Sequence, residues 1–399
     1  MTVKAITVVG GVYHENCLWP TWDQIYGSGG RAAAAIVSQV DKVTLCSYAC
    51  PEIETEFRKA AQLFDFDFIV TPVSGGISFE YVHCMSTPVL RPALSSISKH
   101  APIEVKDEAV LRFGMLEGSA KVDAGWCVYD PQSAFGPESF WENDSKAAHL
   151  AIVGNRSEII AMAGESDPAI AAAKLIQRGA EVVVVKSGPV GAYVYTASGT
   201  QTLIPAFRSD KVWTIGSGDV FAAVFATQWA VQRLDPVAAA ELASKAVSQY
   251  ASSMLLPSAD AASLSALSLP PATTVPGKVY LASPFFNLGQ RWLVDEARRY
   301  LTELGLTVFS PVHDVGAGPA DVVGPADLAA LDDCDRVFAI FDGLDAGTIF
   351  EAGWARAKNL PVYALAQSVG EEDLKMVSGS KCEVYYDFVT ALHHTAWKV

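Results

Sequence analysis

Short apolar runs rich in β-branched residues alternate with alanine-rich helical patterns along the first part of the chain. The runs read KAITVVGG, DKVTLCSY, HLAIVGN and EVVVVKSG, and the pattern DPAIAAAKLIQRG, from Asp167 to Gly179, separates the last two. Parallel strands need long crossover connections, which are usually helices. The alternation therefore predicts an α/β fold in which helices cover both faces of a parallel sheet.

A second α/β unit is predicted after a change in composition. Residues 257–277 are rich in serine, alanine and proline, and we expect them to link a domain at 1–256 to a domain at 278–399. The second unit starts with a strand at KVYLAS, and a Gly/Pro loop is expected between its strands LTVFSP and DRVFAIFD. We expect a smaller flavodoxin-like or Rossmann-like domain.

Composition excludes several classes of function. The 399 residues are 50% hydrophobic and carry a net charge of −15, which disfavours nucleic acid or an anionic membrane as partner but leaves small nucleotides open. Seven cysteines without a C-x-x-C pair predict neither a disulfide framework nor a structural metal site. The start lacks the pattern of a signal peptide, and no apolar run reaches the ~18 residues of a membrane span. We expect a cytoplasmic protein.

The stretch WTIGSGDVFAAVFA contains the first candidate site. Gly216, Ser217 and Gly218 allow backbone N–H groups to converge on one point, and the helix that follows directs its positive end there. Asp219 could accept a proton from a hydroxyl that attacks a phosphoryl group. Alternatively, Asp219 is only the N-cap of the helix.

Other motifs accompany this stretch in a fixed order. They are Gly27, Gly29 and Gly30 in YGSGGRAAAAI, Asn155 and Glu158 in GNRSE, and Lys186, Gly188 and Gly191 in VVVVKSGPVGAYVY. Together with GSGD, they resemble the ribokinase-like PfkB carbohydrate and nucleoside kinases over roughly residues 3–255. The resemblance implies a ribokinase-like parallel-sheet domain that phosphorylates a sugar or nucleoside with MgATP.

The resemblance also implies roles for these residues. Asp219 would be the catalytic base, and the loop Gly216–Gly218 would form the anion hole. The remaining roles are Mg²⁺ and phosphate binding by Asn155 and Glu158, nucleotide binding along Lys186, Gly188 and Gly191, and sugar binding by Glu15, Gly29 and Gly30. From the residues alone, Asn155 and Glu158 also have the spacing of a capping box, and Glu15 could be a surface or lid residue.

Two departures from the family pattern affect the first site. Trp213 stands where the family usually has the Asp of D-T-x-G-A-G-D, which often contributes to a monovalent-cation site. Ala34 stands where the family has an Asn that contacts the sugar. Both a kinase with a changed acceptor and a kinase-shaped domain without activity fit these departures.

The stretch DGLDAGTIFEAGWA contains the second candidate site. Asp342, Asp345 and Glu351 surround a glycine turn, and Asp327 lies upstream in GPADLAAL. Breaking a bond at an anomeric carbon can use two such acids. One is ionised and acts as nucleophile or stabilises the cation, and the other is protonated and acts as the acid. Alternatively, Thr348 and Glu351 have only a structural role and form the capping box of a helix.

Residues 278 to about 380 resemble the nucleoside 2-deoxyribosyltransferase family through KVYLASPFFNLGQR, ADLAALDDCDRVFAIFDG and DAGTIFEAGWARAKNLPV. The resemblance implies that Glu351 is the nucleophile at C1′ and that Asp345 and Asp327 hold and protonate the departing base. Tyr280 and Asp342 would lie in the nucleoside pocket. Members often complete each site with a neighbouring subunit, for which Asp373–Lys381 is the candidate segment, so we expect a homo-oligomer, a dimer or larger.

Together, the two resemblances predict a bifunctional enzyme of nucleoside salvage or modification. The second half would transfer or hydrolyse (deoxy)ribosyl groups, and the first half would phosphorylate a ribosyl-containing compound. The alternative is an active transferase or hydrolase whose first half only binds a ligand or acts as a scaffold.

Overall fold

The computed structural model describes residues 4–133 and 136–397. They form two compact units, Met1–Ala272 and Thr273–Val399, which we call the first and second domains. The division falls inside the stretch 257–277, and the earlier part of that stretch packs on the first domain through a short helix that buries Leu264 completely. In the described ranges, no helix combines the length and apolar character that a bilayer crossing requires.

Strands of the first domain form two sheets. The strands are β1 (Ala5–Val9), β2 (His14–Cys17), β3 (Trp22–Ile25), β4 (Lys42–Ala49), β5 (Asp67–Pro72), β6 (Ser78–Tyr81), β7 (Val89–Arg91), β8 (Ile103–Phe113), β9 (Ala120–Asp130), β10 (Lys146–Asn155), β11 (Val182–Lys186), β12 (Ala192–Thr196) and β13 (Gln201–Ile204). The larger sheet has the order β13-β12-β11-β10-β9-β8-β1-β4-β5. It is parallel from β11 to β5, and β12 and β13 are antiparallel additions at one edge.

The smaller sheet has the order β3-β2-β6-β7, and we call it the small sheet. Its strand β2 pairs antiparallel with β3 and parallel with β6. It is separate from the larger sheet and carries Glu15 on β2.

Helices of the first domain follow the strand–helix alternation expected from sequence. They are α1 (Gly27–Ile36), α2 (Pro51–Phe64), α3 (Arg156–Ala163), α4 (Pro168–Gln177), α5 (Ser217–Ala226), α6 (Pro236–Ser253) and α7 (Ala261–Ala266), with a π-helical turn at Thr227–Val231. Asp167 and Asp235 cap α4 and α6 by accepting backbone N–H bonds, and a proline fills the first helical position of each. The valines of β11 are fully buried because helices cover both faces of the sheet.

The second domain contains one parallel sheet with the order β15-β14-β16-β17-β18. Its elements are β14 (Lys278–Ala282), α8 (Leu288–Glu303), β15 (Thr307–Phe309), α9 (Pro311–Asp314), α10 (Ala320–Asp332), β16 (Arg336–Ile340), α11 (Ala346–Ala357), β17 (Val362–Leu365), α12 (Lys375–Gly379), β18 (Glu383–Tyr385) and α13 (Phe388–Ala396). In order along the chain, this is the 2-1-3-4-5 arrangement of flavodoxin-like folds, as predicted.

One expectation about the second domain was wrong. The region expected to be a Gly/Pro loop contains α9 and α10, and Pro325 lies inside α10. Proline removes one helical hydrogen bond, but Pro325 is exposed, so the freed carbonyl of the preceding turn can meet solvent. This helix carries Asp327.

Candidate active sites

Polar residues of the first site lie where neighbouring parallel strands end. The strands β9, β10 and β11 are adjacent, and their last residues are Asp130, Asn155 and Lys186. Ligands of open α/β sheets bind at this carboxyl edge.

Asp219 is in the first turn of α5, but it does not cap the helix. The N-cap is Gly216, which has a left-handed backbone (φ 77°) and makes no side-chain cap bond. The Asp219 carboxylate instead accepts a hydrogen bond from Arg31 Nη1 at 2.9 Å and from Gln132 Nε2 at 3.2 Å. The N-cap interpretation of Asp219 is therefore wrong.

Arg31 connects the expected catalytic base to the expected sugar ligand. The side chain is 1% exposed, and it forms ion pairs with both Asp219 and Glu15. Its Nε donates to Tyr250 Oη at 3.0 Å, and that hydroxyl donates to the Ile215 carbonyl at 3.0 Å. Burial alone would lower the pKa of Arg31, but the neighbouring Glu15, Tyr250 and Asp219 raise it well above its usual value. The arginine therefore stays charged and neutralises its carboxylate partners.

The guanidinium group also fills space in the site. A side chain at Gly216 would overlap Arg31, so the glycine of the expected anion hole lies directly against the arginine. Glu15 is only 5% exposed, which excludes a surface role for it. Since Arg31 bonds to both Glu15 and Asp219, it lies between the residues expected to hold and to deprotonate an acceptor.

Lys186 supplies a second positive charge beside the glycine loop. Its Nζ is 2.5 Å from Asp130 Oδ2 and 3.3 Å from the position that a Cβ on Gly218 would take. Burial raises the pKa of Asp130 to about 7, although Lys186 opposes the rise. Burial would lower the pKa of Lys186, but Asp130 and Glu158 raise it. An ammonium group at the positive end of α5 fits the phosphates of a nucleotide.

Asn155 and Glu158 form the capping box of α3. The Glu158 N–H donates to Asn155 Oδ1 at 2.9 Å, and the Asn155 N–H donates to Glu158 Oε2 at 2.7 Å. Within residues 4–133 and 136–397, no group of three or more His, Cys, Asp or Glu side chains is arranged to hold a metal ion. The role of Asn155 and Glu158 in Mg²⁺ binding stays a prediction.

Packing accounts for several of the candidate glycines. Gly29 approaches the Gly10 backbone, and Gly30 packs on the Phe57 ring, so neither position has room for a side chain. Gly191 has a φ of 111° where the chain turns from β11 into β12, and Gly188 begins the preceding 3₁₀ turn. Their roles in binding sugar and nucleotide stay predictions.

The second site is built around Glu351 and Tyr280. Tyr280 is completely buried on strand β14, and its hydroxyl donates to Glu351 Oε1 at 2.6 Å. The N-cap of α11 is Asp345, whose Oδ2 accepts from the Thr348 N–H at 2.8 Å. The capping-box interpretation of Thr348 and Glu351 is therefore wrong, and the Glu351 carboxylate faces Tyr280.

The acids of the second site have shifted pKa values. Burial, together with the charges of Asp327 and Asp345, raises the pKa of Glu351 to about 7, against the lowering effect of the Tyr280 hydrogen bond. Burial raises the pKa of Asp327, whose Oδ1 is buried and has no hydrogen-bond partner among the described residues. The site thus holds one carboxyl that titrates near neutrality and one with an unused oxygen.

Asp342 has a structural partner set. Its carboxylate accepts from the backbone N–H groups of Gln367 and Ser368 at 3.0 and 2.6 Å, and from the Ser368 hydroxyl. These bonds join the turn after β16 to the segment after β17. The role of Asp342 in binding a nucleoside stays a prediction.

One segment of each domain matches a known enzyme family. Residues 140–256 match the model of the pfkB family carbohydrate kinases, and residues 279–381 match that of nucleoside 2-deoxyribosyltransferase. Both domains belong to enzyme families. No curated protein matches the chain.

Solved structures resemble the PfkB-type domain. The nucleoside kinase of Methanocaldococcus jannaschii, an archaeal member of the ribokinase family, is 13% identical with a TM-score of 0.50, over 66% of this chain and 97% of that one. A ribokinase from Thermotoga maritima is 17% identical with a TM-score of 0.49, over 64% and 96%. A fructokinase from Vibrio cholerae O395, with fructose, ADP and calcium bound, is 15% identical with a TM-score of 0.46, over 65% and 98%. The first of these likenesses supports a ribokinase-type fold.

Sequence reasoning missed the partners of the PfkB-type site. Arg31 could have indicated a buried ion pair, because it is the single charged residue of the helix GSGGRAAAAI, whose other residues are small or apolar. A charge in such a helix is buried, and a buried charge needs a partner. Asp130 ends a buried strand in GWCVYDPQ and Gln132 lies just after it, and both were also missed.

Proposed function

We propose that the second domain breaks and remakes N-glycosidic bonds of (deoxy)ribonucleosides with Glu351 as nucleophile. The observation that carries the proposal is the 2.6 Å bond from the buried Tyr280 hydroxyl to the Glu351 carboxylate. A capping carboxylate would accept hydrogen bonds from backbone N–H groups. The Glu351 carboxylate instead accepts one from the neutral Tyr280 side chain in a largely buried environment. The family match at residues 279–381 supports the same chemistry.

The chemistry assigns distinct work to the acids. Glu351, once ionised, attacks C1′ and forms a glycosyl-enzyme through an oxocarbenium-like transition state. Tyr280 holds the carboxylate in position. Asp327, whose pKa is raised by burial, carries the proton for the departing base. A second base accepts the sugar in transfer, and water accepts it in hydrolysis.

Base exchange tests this proposal. The full-length chain is incubated with a deoxynucleoside and a different free base, and exchange and base release are followed by chromatography. Glu351→Ala should lower both rates by about 10³-fold or more. Glu303→Gln, an exposed glutamate of the same domain, is the matched control and should keep full activity. Full activity in Glu351→Ala would refute the nucleophile.

For the first domain, we propose ligand binding without phosphoryl transfer. Arg31 supports this choice over the bifunctional alternative, because it neutralises Asp219 and Glu15 together. Both carboxylate oxygens of Asp219 already accept hydrogen bonds, one from Arg31 and one from Gln132, so an acceptor hydroxyl would have to compete with them. The acceptor would also have to displace a side chain that bonds to Tyr250 as well.

An ATP-consumption assay distinguishes the two alternatives. The wild-type chain with MgATP and a panel of pentoses and nucleosides should consume no ATP above background. Consumption that Asp219→Ala abolishes would establish the kinase and with it the bifunctional enzyme. That the chain forms a dimer or larger assembly remains a prediction, and sedimentation measures it directly.

A further inference from the structure

Three aromatic side chains cluster beside the Arg31 site. Trp22 lies on β3 of the small sheet, and Trp213 lies just before α5. Their ring centroids are 5.3 Å apart with the planes inclined at 50°, and Trp22 stacks on Tyr26 at 6.5 Å and 20°. The Trp22–Trp213 contact therefore joins the small sheet to the segment that leads into the glycine loop.

Neither indole of this pair uses its donor. Trp213 is 3% exposed, and the Nε1 atoms of Trp22 and Trp213 are both buried without a hydrogen-bond partner among the described residues. Buried donors in native proteins are nearly always paired, so two unpaired ones in contact need an explanation. An acceptor atom of a bound ligand would satisfy them.

The cluster adjoins the expected acceptor site. The Arg31 guanidinium carbon is 5.3 Å from the centroid of the Tyr26 ring. Arg31 in turn bonds to Glu15 and Asp219. The space between the two acids is thus filled by Arg31. The neighbouring aromatic cluster, in contrast, offers ring faces and two indole N–H donors.

We propose that Trp22 and Trp213 bind a free nucleobase. The flat heterocycle stacks on one indole ring, and its ring nitrogen or carbonyl oxygen accepts from the N–H of the other indole, whose plane is inclined to the first. Aromatic side chains bind any base by stacking, because every base has a π-face. A free base fits better than a nucleoside, because Arg31 occupies the place that sugar hydroxyls would need. This inference rests on the proposed ligand-binding role of the first domain and names the ligand, and the ATP-consumption assay tests that role separately.

Calorimetric titration of the full-length chain tests the proposal. Adenine and thymine are compared with adenosine, thymidine and ribose as probes. Trp213→Ala should remove one base-binding site per chain, and Trp213→Phe or Trp22→Phe, which keep a ring but lose the N–H, should weaken that site about 3- to 10-fold. Base exchange by the second domain should be unchanged in all three variants.

Trp126→Phe is the matched control. Trp126 stacks on His149 and lies under Arg233 in the same domain, so its replacement tests for a general effect of losing an indole. Urea unfolding shows whether each variant is folded, and the phenylalanine variants carry the test if Trp213→Ala is not. Unchanged adenine affinity in both phenylalanine variants would overturn the site. Tighter binding of adenosine than of adenine at the site that Trp213→Ala removes would overturn the free base as its ligand.

Discussion

Each domain presents a carboxylate on a helix that follows a glycine turn, but the two carboxylates have different partners. Asp219 in α5 faces the cation Arg31, and Glu351 in α11 faces the neutral hydroxyl of Tyr280. The cation balances the charge of Asp219 in the folded protein, whereas burial raises the pKa of Glu351 to about 7. An acid that follows a glycine turn in sequence can therefore be assigned a catalytic role only when its hydrogen-bond or ion-pair partner is known.

The largest expected effect concerns the buried arginine. Arg31→Ala leaves Glu15 and Asp219 as buried carboxylates without a counter-charge, so the first domain should lose about 3–5 kcal/mol of unfolding free energy. Urea unfolding at pH 7 measures it. Arg58→Ala, which breaks an exposed pair with Glu54, should cost less than about 1 kcal/mol. A similarly small loss for Arg31→Ala would show that the two carboxylates do not depend on it.

The hydroxyl of Tyr280 should matter for rate rather than for folding alone. Base exchange should rise with pH through about 7 as Glu351 ionises. Tyr280→Phe removes a bond that lowers the pKa of Glu351, so the rise should move to higher pH and the plateau should fall about 10- to 100-fold. A kcat/KM profile from pH 5 to 9 measures both, with the exposed Tyr386→Phe as control. If kcat/KM of Tyr280→Phe rose at the same pH as that of the wild type, Tyr280 would not influence the ionisation of Glu351.

Stability should reveal the raised pKa of Glu351 independently of activity. The folded-state pKa of about 7 lies above the ordinary 4.5, so ionisation is disfavoured by folding and the second domain loses stability as pH rises through this interval. Glu351→Gln cannot ionise, and it should stabilise the domain by about 1–3 kcal/mol at pH 8 and hardly at pH 4. Thermal unfolding at both pH values measures the difference. Equal effects of Glu351→Gln and Glu303→Gln would contradict a perturbed carboxyl.

The smallest expected effect separates capping from catalysis at Asp345. Asp345→Ala should cost about 1 kcal/mol, because it removes the N-cap of α11, and Asp345→Ser should restore most of the loss. The serine variant still lacks the carboxylate. Unfolding midpoints and exchange rates are compared for both variants: a stable but inactive serine variant identifies a catalytic acid, and an active one limits Asp345 to the cap.

Patterns along the chain predicted the larger sheet of the first domain and the sheet of the second domain, because strand and crossover helix leave a local signature in each α/β unit. Prolines misled the prediction around α10, where the exposed side of the helix accommodates Pro325. The motifs also predicted that Asp219 and Glu351 lie on helices that follow glycine turns. Their partners were not predicted, since Arg31 is 188 residues from Asp219 and Tyr280 is 71 residues from Glu351. Contacts at such separations depend on how helices pack on a sheet, which local patterns do not specify.

The bonds from Gln367 and Ser368 to Asp342 brace the turn that precedes α11 against the segment that follows β17. A turn that is braced in this way has its shape before any ligand arrives. The entropy of ordering it is lost during folding, so a ligand that binds at this edge does not have to order the turn again.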